Sequence, residues 1–508
     1  MASKRDTLLN LVTALITVGV QFVTSFVLSP FIVKTLGAEA NGFSQLASNF
    51  VMYASLVTLA FNSMASRFVT VAYHRGESDK ATAYYSSVYI VNVIISLICI
   101  PLSAYVVIDL DKIINIDTAD VTDIKMLFAC VFANYIISMI SSLYSIGFYV
   151  RNKLFYNNLI NCLRTICNAL LLLIVFSLLP ARMFYISLVA VSLSAAILPI
   201  LVKAQRKLLP DISFELSHCS LKAIKEMFLS GIWNTINQCG HLLNTGLDLL
   251  LSNILLNPFT MGIIAVSKTI PSAIIQLASS INASFSPAIT QDWAKADATA
   301  LIKELKISMK LSSIIVSLPI VTFCCVGHEF YSLWQPTLDP RILSITSFLG
   351  CMAFIPASGT QVLYNVYTAA NKLSFNSITF VASGLLNVVA VFFVIKTFPD
   401  MAVYAIVGIS SLISIFRQLV LMLPYAAKIL GLKWYTFYKD VGISLACALI
   451  NAIIAYLILN LMTGQGWLWL IAKCAIIVLL TLAAEFIIVL NSFERGAIYS
   501  IIHKKKRI

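Results

Sequence analysis

Charged residues are scarce in this 508-residue chain, at 11% of the total, whereas 59% of the residues are hydrophobic. Soluble globular proteins carry about 25% charged residues, so this composition excludes a soluble protein. The mean hydropathy of +0.91 agrees. Apolar runs of roughly 20 residues recur along the chain, and each is long enough to cross a bilayer. The composition therefore predicts an all-α polytopic membrane protein.

Motifs for nucleotide and metal chemistry are also missing. The chain has no Gly-x-x-x-x-Gly-Lys-Ser/Thr phosphate loop, and the dipeptide Gly-Lys does not occur, which argues against an ATPase. No His-Glu-x-x-His motif is present, and the spacing of the eleven cysteines fits neither a zinc site nor a disulfide framework. We therefore expect no cofactor, no metal and no enzyme activity.

Basic residues outnumber acidic ones, and their positions describe a membrane topology rather than a nucleic-acid partner. The fourteen predicted helices are 9–33, 43–66, 84–108, 125–150, 154–179, 183–203, 225–247, 261–288, 307–327, 342–367, 374–396, 402–424, 440–462 and 467–490. Most of the 35 Lys and Arg residues lie in loops on the side of both termini, which assigns that side to the cytoplasm. The basic stretch at 504–507 is expected to lie near anionic lipid on this side.

An internal repeat is suggested at an offset of 220 residues. Gly42 and Gly262 each open a helix at equivalent positions, and Pro287 closes the second of these helices. Further identities are Asn62 with Asn282, Ser66 with Ser286, and Thr70 with Thr290. A parallel repeat predicts two lobes related by a pseudo-twofold axis along the membrane normal, with a cavity between them.

The repeat also predicts domain boundaries. Helices 1–6 form an N-terminal lobe over residues 1–210, and helices 7–12 form a second lobe over 211–430. Residues 431–508 then hold helices 13 and 14 and a basic cytoplasmic tail.

Four basic residues lie within predicted helices. Arg164 is near the bilayer midplane, where an arginine costs about 2.5–3.5 kcal/mol, so it should face a cavity or a partner. Lys268 either binds substrate or pairs with Asp248, the acidic residue that precedes its helix. Arg417 and Lys473 lie closer to an interface, which their long side chains can reach.

Acidic residues are nearly absent from helix interiors, where only Asp248 and Glu485 are candidates among the 22 in the chain. A cationic cavity without carboxylates favours an anionic substrate. Asn237, Gln238 and His241 of helix 7 are further cavity candidates, because their donors and acceptors suit sugar hydroxyls or phosphate. The alternative is that they form hydrogen bonds between helices.

The helix plan and the pattern Asp248…Gly262…Lys268…Pro287 resemble the MOP flippase superfamily. The resemblance is to its polysaccharide transporter branch of Wzx-type O-antigen and exopolysaccharide flippases. It implies two six-helix lobes in a V-shape plus two C-terminal helices, in the bacterial cytoplasmic membrane. The implied activity is translocation of a polyprenyl-pyrophosphate-linked oligosaccharide by alternating access.

The resemblance also implies partners and alternatives. The expected partners are the lipid-linked oligosaccharide, membrane lipids, and a polysaccharide polymerase or glycosyltransferases. An ion-coupled multidrug antiporter of the same superfamily is the main alternative. The short outer loops argue against a third class, a membrane-bound polymerase or acyltransferase.

Overall fold

The computed structural model describes residues 4–116, 120–295, 298–370, 372–490 and 495. Every regular element within these ranges is a helix. The fourteen long helices are α1 (Lys4–Leu36), α2 (Ala38–His74), α3 (Ser78–Ile108), α4 (Val121–Tyr144), α5 (Leu154–Leu178), α6 (Tyr185–Leu208), α7 (Leu221–His241), α8 (Pro258–Ser284), α9 (Ala298–Trp334), α10 (Pro340–Cys351), α11 (Ser374–Thr397), α12 (Ala402–Phe416), α13 (Tyr438–Leu461) and α14 (Trp467–Ile488). The predicted all-α membrane fold is confirmed. The basic stretch at 504–507 lies outside the described residues.

Shorter helical pieces extend or connect the long helices. The α-helical pieces are Leu110–Ile113, Ile146–Val150, Asp248–Leu255, Ser286–Ala294, Phe354–Ala357, Tyr364–Ala369 and Leu423–Ile429. The 3-10 turns are Leu216–His218, Thr360–Leu363 and Pro399–Met401, and the π-helical stretches are Leu242–Gly246 and Arg417–Met422. The π-helical stretches continue α7 and α12 with a changed register, a feature that often marks functional positions.

Twelve helical stretches among the described residues are long and apolar enough to cross a membrane. The two long helices outside that set are α2 and α7, which have the length but carry more polar side chains. They pack directly on each other, since the backbone of Ala60 leaves no room for a side chain at Gly231. The Asn234 amide donates to the Ser63 hydroxyl across this contact, at 3.3 Å. Pairing the two polar helices satisfies groups that lipid cannot.

The chain divides into two compact units, Met1–Val266 and Ser267–Ile508. In the first unit, an apolar cluster around Val69, Leu143 and Met227 joins α2, α4 and α7. The lobe boundaries expected from the repeat, at 210 and 430, are a different division of the chain and stay a prediction.

In the second unit, polar contacts join α9 to α13. The Ser313 and Ser444 hydroxyls lie 2.8 Å apart, and the Asn451 amide donates to the backbone oxygen of Leu318 at 3.0 Å. These buried bonds give the additional helix α13 a defined position against α9, because each donor or acceptor would otherwise lie in an apolar interior.

Candidate functional site

A polar cavity of about 160 Å³ lies between α4, α5 and α6 in the first unit. Its polar lining consists of Ser138, Ser141 and Ser142 from α4, Ser145 directly after α4, Asn157, Asn161 and Arg164 from α5, and Ser194 from α6. The serines of α4 recur at spacings of three and four residues, which places them on one helix face. The three polar residues of α5 follow the same spacing. Two helices therefore direct their polar faces into one cavity.

Arg164 brings a positive charge to this cavity without a protein partner. The side chain is half-buried, and no described residue forms a hydrogen bond or ion pair with its guanidinium. A buried guanidinium needs acceptors for its five donors, and an anion with several oxygens supplies them best. The predicted placement of Arg164 at a cavity agrees with this geometry, whereas its role stays a prediction.

Some of the serine hydroxyls around Arg164 already donate their hydrogens to their own helix. Ser141 donates to the Ile137 carbonyl and Ser142 to the Met139 carbonyl, both at 2.7 Å. Their oxygens retain lone pairs that can accept from a ligand. The cavity thus combines a cationic donor with neutral acceptors, which suits a ligand that carries both an anionic group and hydroxyls.

Arg417, the candidate in the second unit, has partners of its own. Its Nη1 donates to the Asn376 Oδ1 at 3.1 Å, and its guanidinium carbon lies 4.6 Å from the centre of the Phe380 ring. The arginine opens the π-helical stretch Arg417–Met422. It therefore joins α12 to α11 through a hydrogen bond and a cation–π contact.

The three candidates on α7 have different surroundings. Asn237 and Gln238 are half-buried, and their side chains form no hydrogen bond with a described residue. His241 is exposed, and its Nδ1 lies 3.3 Å from the Thr245 hydroxyl. Their binding roles stay a prediction.

The predicted counterparts Gly42 and Gly262 contact each other. A side chain at Gly42 would meet Met261 and the Gly262 backbone, and one at Gly262 would meet the Ala38 backbone. One turn further, the Gln45 amide donates to the Ala265 carbonyl at 3.2 Å, across a separation of 220 residues. Contact between a residue and its own counterpart is what twofold symmetry produces.

Hydrogen bonds repeat at the same offset. Asn92 donates to Asn62 at 3.0 Å, and Ser312 donates to Asn282 at 2.8 Å. Both bonds span 30 residues, and each joins one helix to the next. The two copies of the repeat therefore share a tertiary hydrogen bond as well as residue identities.

The remaining structural candidates lie near helix ends. Asp248 is 1% exposed and begins the helix Asp248–Leu255, whereas Lys268 is half-buried within α8. Asp248 belongs to the first compact unit and Lys268 to the second, so their pairing stays a prediction. Pro287 occupies the first turn of the helix Ser286–Ala294, where proline is well tolerated.

Two interpretations of intramembrane charge are wrong. Lys473 does not extend to an interface, because it is buried and bonds both carboxyl oxygens of Glu329, at 2.9 and 2.8 Å. Glu329 was missed because α9 reaches Trp334, seven residues beyond its predicted end. Asp440 of α13 is also buried. Helix interiors therefore hold more acidic residues than Asp248 and Glu485.

Comparison with known proteins places this geometry in a family. A family model described as "Polysaccharide biosynthesis protein" matches residues 3–291, more than half of the chain. The chain belongs to the polysaccharide biosynthesis protein family. This membership confirms the polysaccharide part of the predicted resemblance.

Relatives of this family member agree in extent and fold. It is 26% identical over 487 residues to the "Uncharacterized membrane protein EpsK" of Bacillus subtilis (strain 168), covering 94% of both chains. Its fold matches the lipid II flippase MurJ in an inward closed conformation, with a TM-score of 0.70, 12% identity, and coverage of 97% of this chain and 100% of that one. An inward-facing MATE multidrug resistance transporter of the MOP superfamily matches with a TM-score of 0.66 and 9% identity, over 81% and 94% of the two chains.

Several residues that line the cavity of this family member were not predicted from the sequence. The four serines at the end of α4 and the two asparagines of α5 were not predicted as site residues, although their helical spacing is present in the sequence. Polar residues spaced like this on neighbouring helices, together with a cation at mid-depth, are the signal that would have identified them. Asn376 and Phe380 carried no such signal, because their contact with Arg417 depends on tertiary packing.

Proposed function

We propose that this protein is a flippase for a polyprenyl-pyrophosphate-linked oligosaccharide, the repeat unit of a surface polysaccharide. It would act in the bacterial cytoplasmic membrane by alternating access, with both termini cytoplasmic. The polysaccharide family and the shared fold with MurJ support transport of this class. The proposed organisation is two six-helix lobes, 1–210 and 211–430, followed by helices 13 and 14.

The observation that carries this proposal is Arg164 in its cavity of hydroxyl and amide groups. A phosphorylated sugar combines an anion, which matches the guanidinium, with hydroxyl donors, which match the serine oxygens and asparagine amides. A cationic drug would be repelled by the same charge. The proposed site therefore disfavours the multidrug antiporter.

The other candidate residues take supporting parts in the proposal. Lys268 and Arg417 would add positive charge along the path of the pyrophosphate or acidic sugars. Asn237, Gln238 and His241 would contact sugar hydroxyls. Asp248, Gly42, Gly262 and Pro287 would serve structure or coupling, and a polymerase or glycosyltransferases would act on either side of transport.

Complementation of a deletion strain tests the role of Arg164. Arg164→Ala should abolish surface polysaccharide and cause the lipid-linked intermediate to accumulate on the inner leaflet. The matched control is Arg206→Ala, which removes the same charge from an exposed position on α6 and should restore export. Immunoblots must show equal amounts of both variants in the membrane.

Two results would contradict the proposal. Full export by Arg164→Ala would remove this arginine from the mechanism. Normal polysaccharide in the deletion strain, together with loss of cationic dye efflux, would instead identify the antiporter.

A further inference from the structure

The two ends of α14 each contain a buried ionisable side chain, and the two side chains differ in their partners. Near its beginning, Lys473 is neutralised by Glu329 of α9, with the ammonium bonded to both carboxyl oxygens. Near its end, Glu485 is fully buried at 0% exposure. Neither Glu485 carboxyl oxygen has a nitrogen or oxygen donor among the described residues, and the group that faces the carboxyl is the thiol of Cys447, a weak donor. The same helix therefore holds one acid–base pair and one solitary acid.

The surroundings of Glu485 are apolar. Cys447 of α13 faces it and is itself fully buried. Around Cys447 pack Ile314 of α9, Phe486 of α14, and Val489 directly after α14. Thr481, one turn before Glu485, is also fully buried, and its hydroxyl has no partner among the described residues. The Cys447 thiol is only a weak donor, so an ionised carboxylate is poorly compensated at this position.

The charged groups on the neighbouring elements are engaged elsewhere. Lys306 and Lys310 of α9 interact electrostatically with Asp440 of α13. Beyond α14, Arg495 donates to the carbonyls of Leu490 and Ile487, at 2.9 and 2.8 Å. Within the described part of the chain, no basic side chain forms an ion pair with Glu485. A proton is the simplest cation that can neutralise it.

We propose that Glu485 is a proton-binding site, occupied while α14 packs against α9 and α13 as in this structure. The neutral acid fits the apolar surroundings, whereas the ionised form requires water or a donor to reach the carboxyl. Proton release therefore accompanies local opening of the α13–α14 interface, and proton binding accompanies its closure. The groups involved belong to α9, α13, α14 and the residues directly after α14, so the proton site is independent of the substrate and of the proposed flippase activity.

Carbodiimide labelling of the purified full-length protein tests this site directly. Dicyclohexylcarbodiimide reacts with protonated carboxyls in apolar surroundings, and mass spectrometry locates the labelled residue. We expect labelling of Glu485 at mildly acidic pH, falling about tenfold per pH unit once its proton is lost. Glu329, which is ion-paired to Lys473, serves as the internal control and should remain unlabelled.

Infrared spectroscopy provides a second readout that needs no chemical label. The carbonyl stretch of a buried protonated acid should diminish as the pH rises, and Glu485→Gln should remove that component. Glu329→Gln should leave it in place. The proposal is overturned if Glu485 resists the reagent at every pH and the infrared spectrum shows only carboxylate. Labelling of Glu485 that does not vary with pH would overturn it equally.

Discussion

Arg164 and Arg417 lie among apolar helices, and they differ in the protein groups that contact their guanidinium groups. Arg417 donates from Nη1 to Asn376 and lies over the ring of Phe380, whereas its buried Nε has no hydrogen-bond partner among the described residues. Arg164 has the same side chain but faces a cavity of hydroxyls and amides and has no bond to a described residue. The number of protein partners, rather than depth in the membrane, distinguishes the two.

The repeat shows that the two arginines occupy related regions of their halves. Counting back by the offset of 220 residues, the counterpart of Arg417 is Ile197 and that of Phe380 is Ile160. Both isoleucines line the cavity of Arg164. The two halves thus place a guanidinium in corresponding surroundings from different helices. In the second half, the Phe380 ring packs against Arg417, whereas in the first half a cavity lies beside Arg164.

The largest effect on stability is expected for Lys473, the buried cation with a full ionic partner. Lys473→Met leaves Glu329 without its counterion, and breaking such a pair costs about 3–5 kcal/mol. The thermal unfolding midpoint in detergent, followed by tryptophan fluorescence, should fall clearly. The double variant with Glu329→Leu should recover most of the loss. A single variant as stable as the unmodified protein would show that the pair contributes nothing.

A smaller effect is expected from removing the partner of Arg417. Asn376→Ala deletes a hydrogen bond to a charged group, which costs about 1.5–3 kcal/mol. The matched control is Asn237→Ala, because that amide bonds to no described residue. Unfolding midpoints measured side by side should fall only for Asn376→Ala. Equal midpoints would mean that Arg417 is not held by this bond.

The smallest change in stability is expected at Arg164. Arg164→Leu removes a half-buried cation that has no bond to lose, so the unfolding midpoint should stay level or rise slightly. The same variant should abolish polysaccharide export, which would separate binding from folding. A midpoint that falls as far as that of Asn376→Ala would instead assign Arg164 a structural role.

Local patterns in the sequence predicted more of this protein than its tertiary contacts did. Fourteen helices and the equivalence of Gly42 with Gly262 followed from apolar runs and spacing, because both are periodic features of the chain. The position of Arg164 within α5 followed from its distance to the helix ends. The Lys473 pair did not, since it depended on the true end of α9 and on which helices meet. The partners of Arg417 were hidden for the same reason.

The glycine contact between α2 and α8 has a consequence for motion. Helices usually interlock through ridges of side chains that enter the grooves of a neighbour, and this restricts rotation. Gly42 and Gly262 bring backbone against backbone and present no ridge at that point. The N-terminal ends of α2 and α8 can therefore rotate against each other at this point while their backbones stay in contact. A side chain introduced at either glycine would hinder this rotation, because it would have to displace the opposing backbone.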